Sequence, residues 1–360
     1  MKIFTVGPTE MYDEIKSEGG KQTPYFRTEE FSQLMLDTDI MLKKFLKTSN
    51  ESKVIYLTAS GTGAMEATII NCLRDDDKIL IINGGTFGAR FRQLCDIHSL
   101  KYTEIILAED EELKEEHLNK YNNAGYSTLL VNLHETSTGQ LYDVKLLARF
   151  CKKNNMYFIV DAISTFLCDP YSMDENNIDV TIISSQKGLC VSPGMAMVAL
   201  SSRIIRDRIV DNNIRSMYFD FKYYIDNISR GQTPFTPAVG ICMQSYKALL
   251  MVDKIGLSEY LDSVSKKAKH FRESVKFLPI DIPKVPLSNA ITPIIFRIPI
   301  AKEVFRILKD EYDIMVNPTG GTNENYMLRI AHIGNNSLED QEKLVDCIRK
   351  ILLRYENQLS

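Results

Sequence analysis

From Ser60 to Ser201 the chain alternates apolar runs with stretches of helical periodicity, and few architectures accept that order. The runs are "KILIIN" (Lys78 to Asn83), "YTEIIL", "STLLVNLH" (Ser127 to His134), "YFIVDA" (Tyr157 to Ala162), "DVTIIS" and "AMVALS". They are rich in Ile, Val and Leu and do not alternate cleanly with polar residues, so both faces expect burial. Between them "FGARFRQLCDIHSL" and "VKLLARFCKKNN" carry apolar residues at helical spacing. Strands separated by helices build βαβ units. The expectation is an α/β fold whose mostly parallel sheet is covered on both faces.

The flanks differ. Upstream, "EEFSQLMLDTDIMLKKFLKT" reads as an amphipathic helix, and "KVIYLT" as a strand running into "ASGTGAMEATIINCL". Downstream, the polar and aromatic "RSMYFDFKYYIDNISRGQTPFTPAVG" reads as loop. Two helices follow, "AVGICMQSYKALLMVDKIG" and "SEYLDSVSKKAKHFRESVKFL". The remainder mixes strands ("TPIIFRIP", "MLRIAHIG") with helices ("AKEVFRILKDEY", "LEDQEKLVDCIRKILLRYENQ") and suits a smaller α+β unit from residue 255 on. A length of 360 residues is ample for a large domain and a small one.

Composition narrows the function. Net charge is −4, which argues against a general nucleic-acid surface. Seven scattered cysteines include no CxxC pair, and the five histidines are far apart, so neither a disulfide framework nor a metal site is expected; a reducing cytoplasm fits. "MKIFTVGPTEMYDE" has no apolar signal core, and no run is long enough to span a membrane.

In open α/β sheets ligands sit at the carboxyl ends of the strands, so the residues after each strand carry the chemistry. After "KVIYLT" come Ser60, Gly61, Thr62 and Gly63, opening a helix: either a small-residue N-cap or a phosphate cradle. After "YFIV" comes Asp161, a carboxylate costly to bury without a partner. After "DVTIIS" come Gln186 and Lys187, followed by Gly188, Pro193 and Gly194. A phosphate cradle, a carboxylate and a lysine on one sheet edge suit pyridoxal 5′-phosphate, which binds lysine covalently and whose pyridinium nitrogen commonly meets an Asp.

The motifs "VGPTEM", "SGTGAMEA", "GGTFGARF", "HETSTGQ", "VDAISTF", "SSQKGL", "GQTPFTPAV" and "LRIAHIG", in this order, make the chain resemble the class V aminotransferases of fold type I, in the alanine/serine–glyoxylate and 2-aminoethylphosphonate–pyruvate branch. The resemblance spans nearly the whole chain. It implies a large domain with a mostly parallel seven-stranded sheet between helices (residues 21–254), a small C-terminal α+β domain (255–360) and an N-terminal segment (1–20) at the site mouth. By the same resemblance Lys187 is the Schiff-base lysine and Asp161 the partner of the pyridinium proton. Ser60, Gly61, Thr62 and Gln186 match phosphate contacts. Phe87 matches a ring stacked on the cofactor, Ile163 packs on its other face, and Thr136 lies near the ring hydroxyl and substrate. Thr233 and Thr236 resemble residues that reach the phosphate across a homodimer interface, making shared active sites. Arg329 matches the substrate-carboxylate arginine, and Gly7 belongs to a segment crossing the site mouth.

The implied reaction is ping-pong transfer of an amino group from a small donor (alanine, serine or 2-aminoethylphosphonate) to pyruvate or glyoxylate, with Lys187 as general base. One departure bears on the donor: many relatives carry His-Arg before "EF", and here Phe26 precedes Arg27. The same scaffold supports lyases and desulfurases, but no cysteine falls between Asn317 and Asn325. A non-catalytic binding protein is the alternative from another class, and Lys187 with Asp161 argues against it.

Overall fold

A computed structural model describes residues 1–355. Its larger sheet has seven strands in the order Lys53–Leu57, Ala196–Leu200, Val180–Ser184, Tyr157–Asp161, Thr128–Asn132, Ile79–Asn83 and Tyr102–Ile106. Ala196–Leu200 pairs antiparallel with both neighbours, and every other pairing is parallel. The sheet is therefore mostly parallel, as the alternation of runs implies.

Strand side chains alternate between faces, and the core divides accordingly. Leu80, Ile82, Leu129, Val131, Phe158 and Val160 join one cluster, which holds Met35 and Leu42 of helix Glu29–Leu46 and Leu249 of helix Val239–Ile255. Ile79, Ile81, Leu130 and Ile159 join the other, with Ala64 and Ile69 of helix Gly61–Cys72 and Phe91 of helix Gly88–Ile97. Both faces are thus buried, and each fully buried large apolar side chain contributes about 1.5–3 kcal/mol.

A second sheet runs Lys2–Phe4, Ile314–Pro318, Met327–Ala331, Ile291–Phe296, Ile280–Asp281. It packs with helices Leu257–Val275, Ala301–Tyr312 and Leu338–Leu353 around a cluster that includes Leu328 and Ile330. Alternation along the strand sends the intervening Arg329 to the opposite side. Lys2 to Phe4 pair in parallel with Ile314 to Val316, a contact across the whole chain that no local periodicity reveals.

The stretch read as loop contains helix Phe221–Ile228. Asp220 caps it by accepting from Lys222 N, and Phe221, Tyr224 and Ile228 are its buried face. Dense aromatics and polar residues mask that short i, i+3, i+7 pattern. The end of "LLRYENQ", beyond Tyr355, lies outside the described residues. Among the described residues no helix is long and apolar enough to cross a membrane.

After that helix the chain turns at Gly231, where φ is +68°. Gly231 N donates to Ile228 O at 2.9 Å and Gln232 N to Asn227 O at 3.2 Å, closing the helix end. A Cβ at this position would overlap the carbonyl of Ser32. Gly231→Ala should therefore lower the unfolding free energy by about 1–3 kcal/mol, read as a lower urea midpoint. An unchanged midpoint would mean that the 231–236 turn is not held against helix Glu29–Leu46.

Candidate active site

The parallel strands bring their carboxyl ends to one edge. Beyond Leu57, the Ser60 hydroxyl accepts from Gly63 N at 3.3 Å and Ser60 O from Ala64 N at 3.1 Å, which starts helix Gly61–Cys72. The first helical N–H groups have no intrahelical partner and face the strand ends with the positive end of the helix dipole. A Cβ on Gly61 would overlap Cδ1 of Ile163, so glycine here lets Ile163 close against the helix start.

Asp161 ends its strand 2% exposed. Register places Asn132 beside it, and Asn132 Nδ2 donates to Oδ2 at 3.1 Å. Ile163 N donates to Oδ1 at 2.8 Å. Burial nevertheless pushes the carboxyl up to about 6; the two hydrogen bonds oppose that, Glu135 adds to it and Lys187 opposes it. Lys187 shows the mirror effect. Desolvation of its amine brings the pKa down to about 8, Arg329 acts in the same sense, and Asp161 resists. Gly7 leans on this side chain: a Cβ there would come within 2.7–2.9 Å of Lys187 Cδ, Cε and Nζ.

Lys187 and Asp161 line one cavity of about 150 Å³ with Ser60, Gly61, Thr62 and Phe87. Thr136, Ile163 and Gln186 line it too. Thr136 is fixed by a 2.9 Å contact between its hydroxyl and that of Ser164. Gln186 Oε1 accepts from Ser184 Oγ at 2.5 Å. Arg90, Asn132, Ser164 and Met65 share the lining and were not expected. Asn132 had a visible signal: like Asp161, it is a polar residue closing an apolar strand.

Two expected residues stand apart from this cavity. Thr233 is buried with its hydroxyl on Phe235 O at 2.7 Å, and Thr236 is exposed. Arg27 fixes their segment, donating to Gln232 Oε1 and Thr233 O, both at 2.8 Å. The Arg27 guanidinium lies 4.7 Å from the Phe26 ring centre, so Phe26 packs against Arg27.

Arg329 opens onto an adjoining cavity of about 680 Å³ that shares Phe87 with the first. Its Nη1 donates to Thr136 O at 2.9 Å and its Nη2 to Pro318 O at 2.8 Å, while buried Nε has no protein partner. Glu135, fully buried, organises the wall between the cavities. It accepts from Gly88 N at 2.9 Å, Phe87 N at 3.1 Å and Ser137 N at 3.1 Å.

The family model described as aminotransferase class-V matches residues 9–323. The chain belongs to the class-V aminotransferase family. The family match, together with relatives named aminotransferases, supports a pyridoxal-phosphate-dependent transaminase. An uncharacterized aminotransferase of Helicobacter pylori is 29% identical over 340 residues, 93% of this chain and 89% of that protein. A bifunctional phosphonoacetaldehyde hydrolase/aminoethylphosphonate transaminase of Clostridioides difficile is 26% identical over 90% of this chain and 52% of its own length. Among solved structures, an alanine–glyoxylate aminotransferase from Nostoc superposes with a TM-score of 0.90 at 22% identity, covering 97% of this aminotransferase and 94% of that chain, which shows the fold.

The cavity fits the family's cofactor. It holds an amine of lowered pKa, an oriented carboxylate, a helix N-terminus for a phosphate, and the buried Asn132 Oδ1 without a protein partner. Among the described residues no group of His, Cys, Asp and Glu is placed to hold a metal ion.

The raised pKa of Asp161 sets a stability prediction. An acid whose folded pKa exceeds its unfolded value destabilises the fold once ionised, and the penalty grows as pH rises from about 4 to about 6. A shift of roughly two units corresponds to about 3 kcal/mol. In protein stripped of cofactor, Asp161→Asn should therefore be more stable than wild type by about 2–3 kcal/mol at pH 7.5, and by little at pH 4. A variant less stable than wild type at pH 7.5 would show that the carboxylate is not strained by burial.

Proposed function

We propose that this aminotransferase transfers an amino group from a small donor (alanine, serine or 2-aminoethylphosphonate) to pyruvate or glyoxylate by a ping-pong mechanism, using pyridoxal 5′-phosphate held on Lys187. The observation that carries the reading is the meeting of Lys187 and Asp161 in one small cavity, with Arg329 on the next. The names of the Clostridioides and Nostoc proteins support the substrate range.

When bound, the cofactor supplies an electron sink for the pair left at the donor Cα. The chain supplies the rest. Asp161, held by Asn132 and Ile163 N–H, offers a carboxylate to a cationic ring N–H. Lys187, with its amine near pKa 8, holds the cofactor and, once released, takes the proton from the donor Cα. Arg329, oriented by two carbonyls, keeps Nε free for the substrate carboxylate. Phe87 and Ile163 would hold the ring, and Ser60, Gly61, Thr62 and Gln186 the phosphate; all line the Lys187 cavity. Thr136, on the same lining, would meet the substrate, and Gly7 leaves room for the Lys187 side chain at the site mouth.

Thr233 and Thr236 are reserved for a partner's phosphate across a homodimer interface, since neither reaches the cavity of its own chain. The organisation we assign is 1–20, 21–254 and 255–360: the seven-stranded sheet is the core of the second unit, and Lys2–Phe4 of the first joins the sheet of the third. The absence of a cysteine from residues 317–325 counts against a desulfurase reading.

Purified protein should show a visible absorbance band that a correct donor bleaches. Borohydride should fix the cofactor's mass on Lys187. A protein that gains no band with added pyridoxal 5′-phosphate would be a non-catalytic relative. Lys187→Ala should lose at least ~10³-fold in turnover. Arg329→Ala should raise the KM of carboxylate substrates by about 10–100-fold; unchanged pyruvate kinetics would give Arg329 another task.

A further inference from the structure

Arg90 is a guanidinium without a carboxylate. It lies in the first turn of helix Gly88–Ile97 and lines the cavity of Lys187 and Asp161. Its Nη1 donates to Thr62 Oγ1 at 2.7 Å, which brings the positive charge to the start of helix Gly61–Cys72. Its other side rests 5.2 Å from the centre of the Phe87 ring. Among the described residues no Asp or Glu lies within ion-pair distance of it, whereas neighbouring Arg92 on the same helix pairs with Asp96. A cation held from two sides at the rim of a cavity, with no counter-charge, is poised for an anion that the protein does not contain.

The charges of the cavity say which anion. Three charged side chains line it: Arg90, Asp161 and Lys187. On the reading proposed above, on which this inference rests, Lys187 and Asp161 serve the aldehyde and the ring nitrogen. Within one chain the phosphate end is then left with the N-terminus of helix Gly61–Cys72, equivalent to roughly half a positive charge, against a group carrying up to two negative ones, and the threonines proposed to reach it across the interface are neutral. Thr62, Ser60 and Gln186 add dipoles and no charge. We propose that Arg90 is the phosphate's counter-ion: a cofactor-binding residue whose guanidinium, aimed by Thr62 and braced on Phe87, recognises the phosphomonoester. The planar fork of an arginine suits phosphate oxygens better than a point charge would. The arrangement also couples the two walls of the cavity, since one side chain touches the phosphate cradle at Thr62 and the stacking ring at Phe87.

The test compares two ligands that differ only in the phosphate. Full-length protein stripped of cofactor is titrated with pyridoxal 5′-phosphate and with pyridoxal, following the visible band, for wild type and Arg90→Met. Wild type should prefer the phosphorylated ligand. Arg90→Met should weaken pyridoxal 5′-phosphate by about 10–100-fold, as expected for loss of a charged hydrogen-bonded contact, and leave pyridoxal within about twofold. Inorganic phosphate should raise the melting temperature of stripped wild type and not of the variant. Arg90→Lys should recover part of both effects. An equal loss for both ligands together with a lower melting temperature would make Arg90 a structural tie between two helices and overturn the proposal. Unchanged affinity for pyridoxal 5′-phosphate would overturn it as well, while leaving the proposed reaction standing. A wild type that takes up neither ligand would instead remove the reading on which the proposal rests.

Discussion

A carboxylate and an amine share a small buried space, and much of the fold serves to keep them there. Neither Asp161 nor Lys187 is comfortable: burial drives the acid up and the amine down, each toward its neutral form. Their mutual attraction resists, and so do the N–H groups aimed at Asp161. The parallel sheet makes this possible. Five buried residues on each of strands Thr128–Asn132 and Val180–Ser184 pin the strand ends, so polar groups a few residues further on are set in place by an apolar core that cannot shift cheaply.

Glu135 does for the site wall what the sheet does for its floor. A fully buried carboxylate takes N–H groups from Phe87, Gly88 and Ser137 and thereby joins the loop before helix Gly88–Ile97 to the turn after strand Thr128–Asn132. Gly85 is small for the same reason, since a Cβ there would lie 2.7 Å from Glu135 Cδ. Arg329 arrives from the other sheet and donates to Thr136, the residue after Glu135. The Arg329 guanidinium therefore depends on two cores at once, and its position reports how the smaller sheet sits against the Thr136 turn.

Much of this was legible in the sequence. The apolar runs identified the strands, and residues at their ends, Ser60, Asp161 and Lys187, were read as chemistry before any contact was known. What escaped was what register and helix phase create. Asn132 is a neighbour of Asp161 across a strand pair, a relation absent from their 29-residue separation. Arg90 sits three residues past Phe87 in a motif that was quoted, yet only the helix turn shows that it faces Thr62. Helix Phe221–Ile228 was missed because its apolar positions are aromatics among polar residues, and strand Lys2–Phe4 because three residues carry no period at all.

The last constraint concerns the lysine's freedom. On the proposed reading Lys187 would hold a cofactor, let go and move a proton, yet the residues around it leave little space. Gly188 can carry no side chain, because a Cβ would overlap the carbonyl of Phe166, and Gly7 lies against the lysine's own methylenes. Cys190 N donates to Lys187 O at 2.8 Å, which fixes the backbone from the other side. The backbone of this turn is thus locked while the side chain keeps its rotors. The two glycines therefore fix where the Lys187 side chain starts and what lies beside it, since a side chain at Gly188 would displace the turn and one at Gly7 the amine.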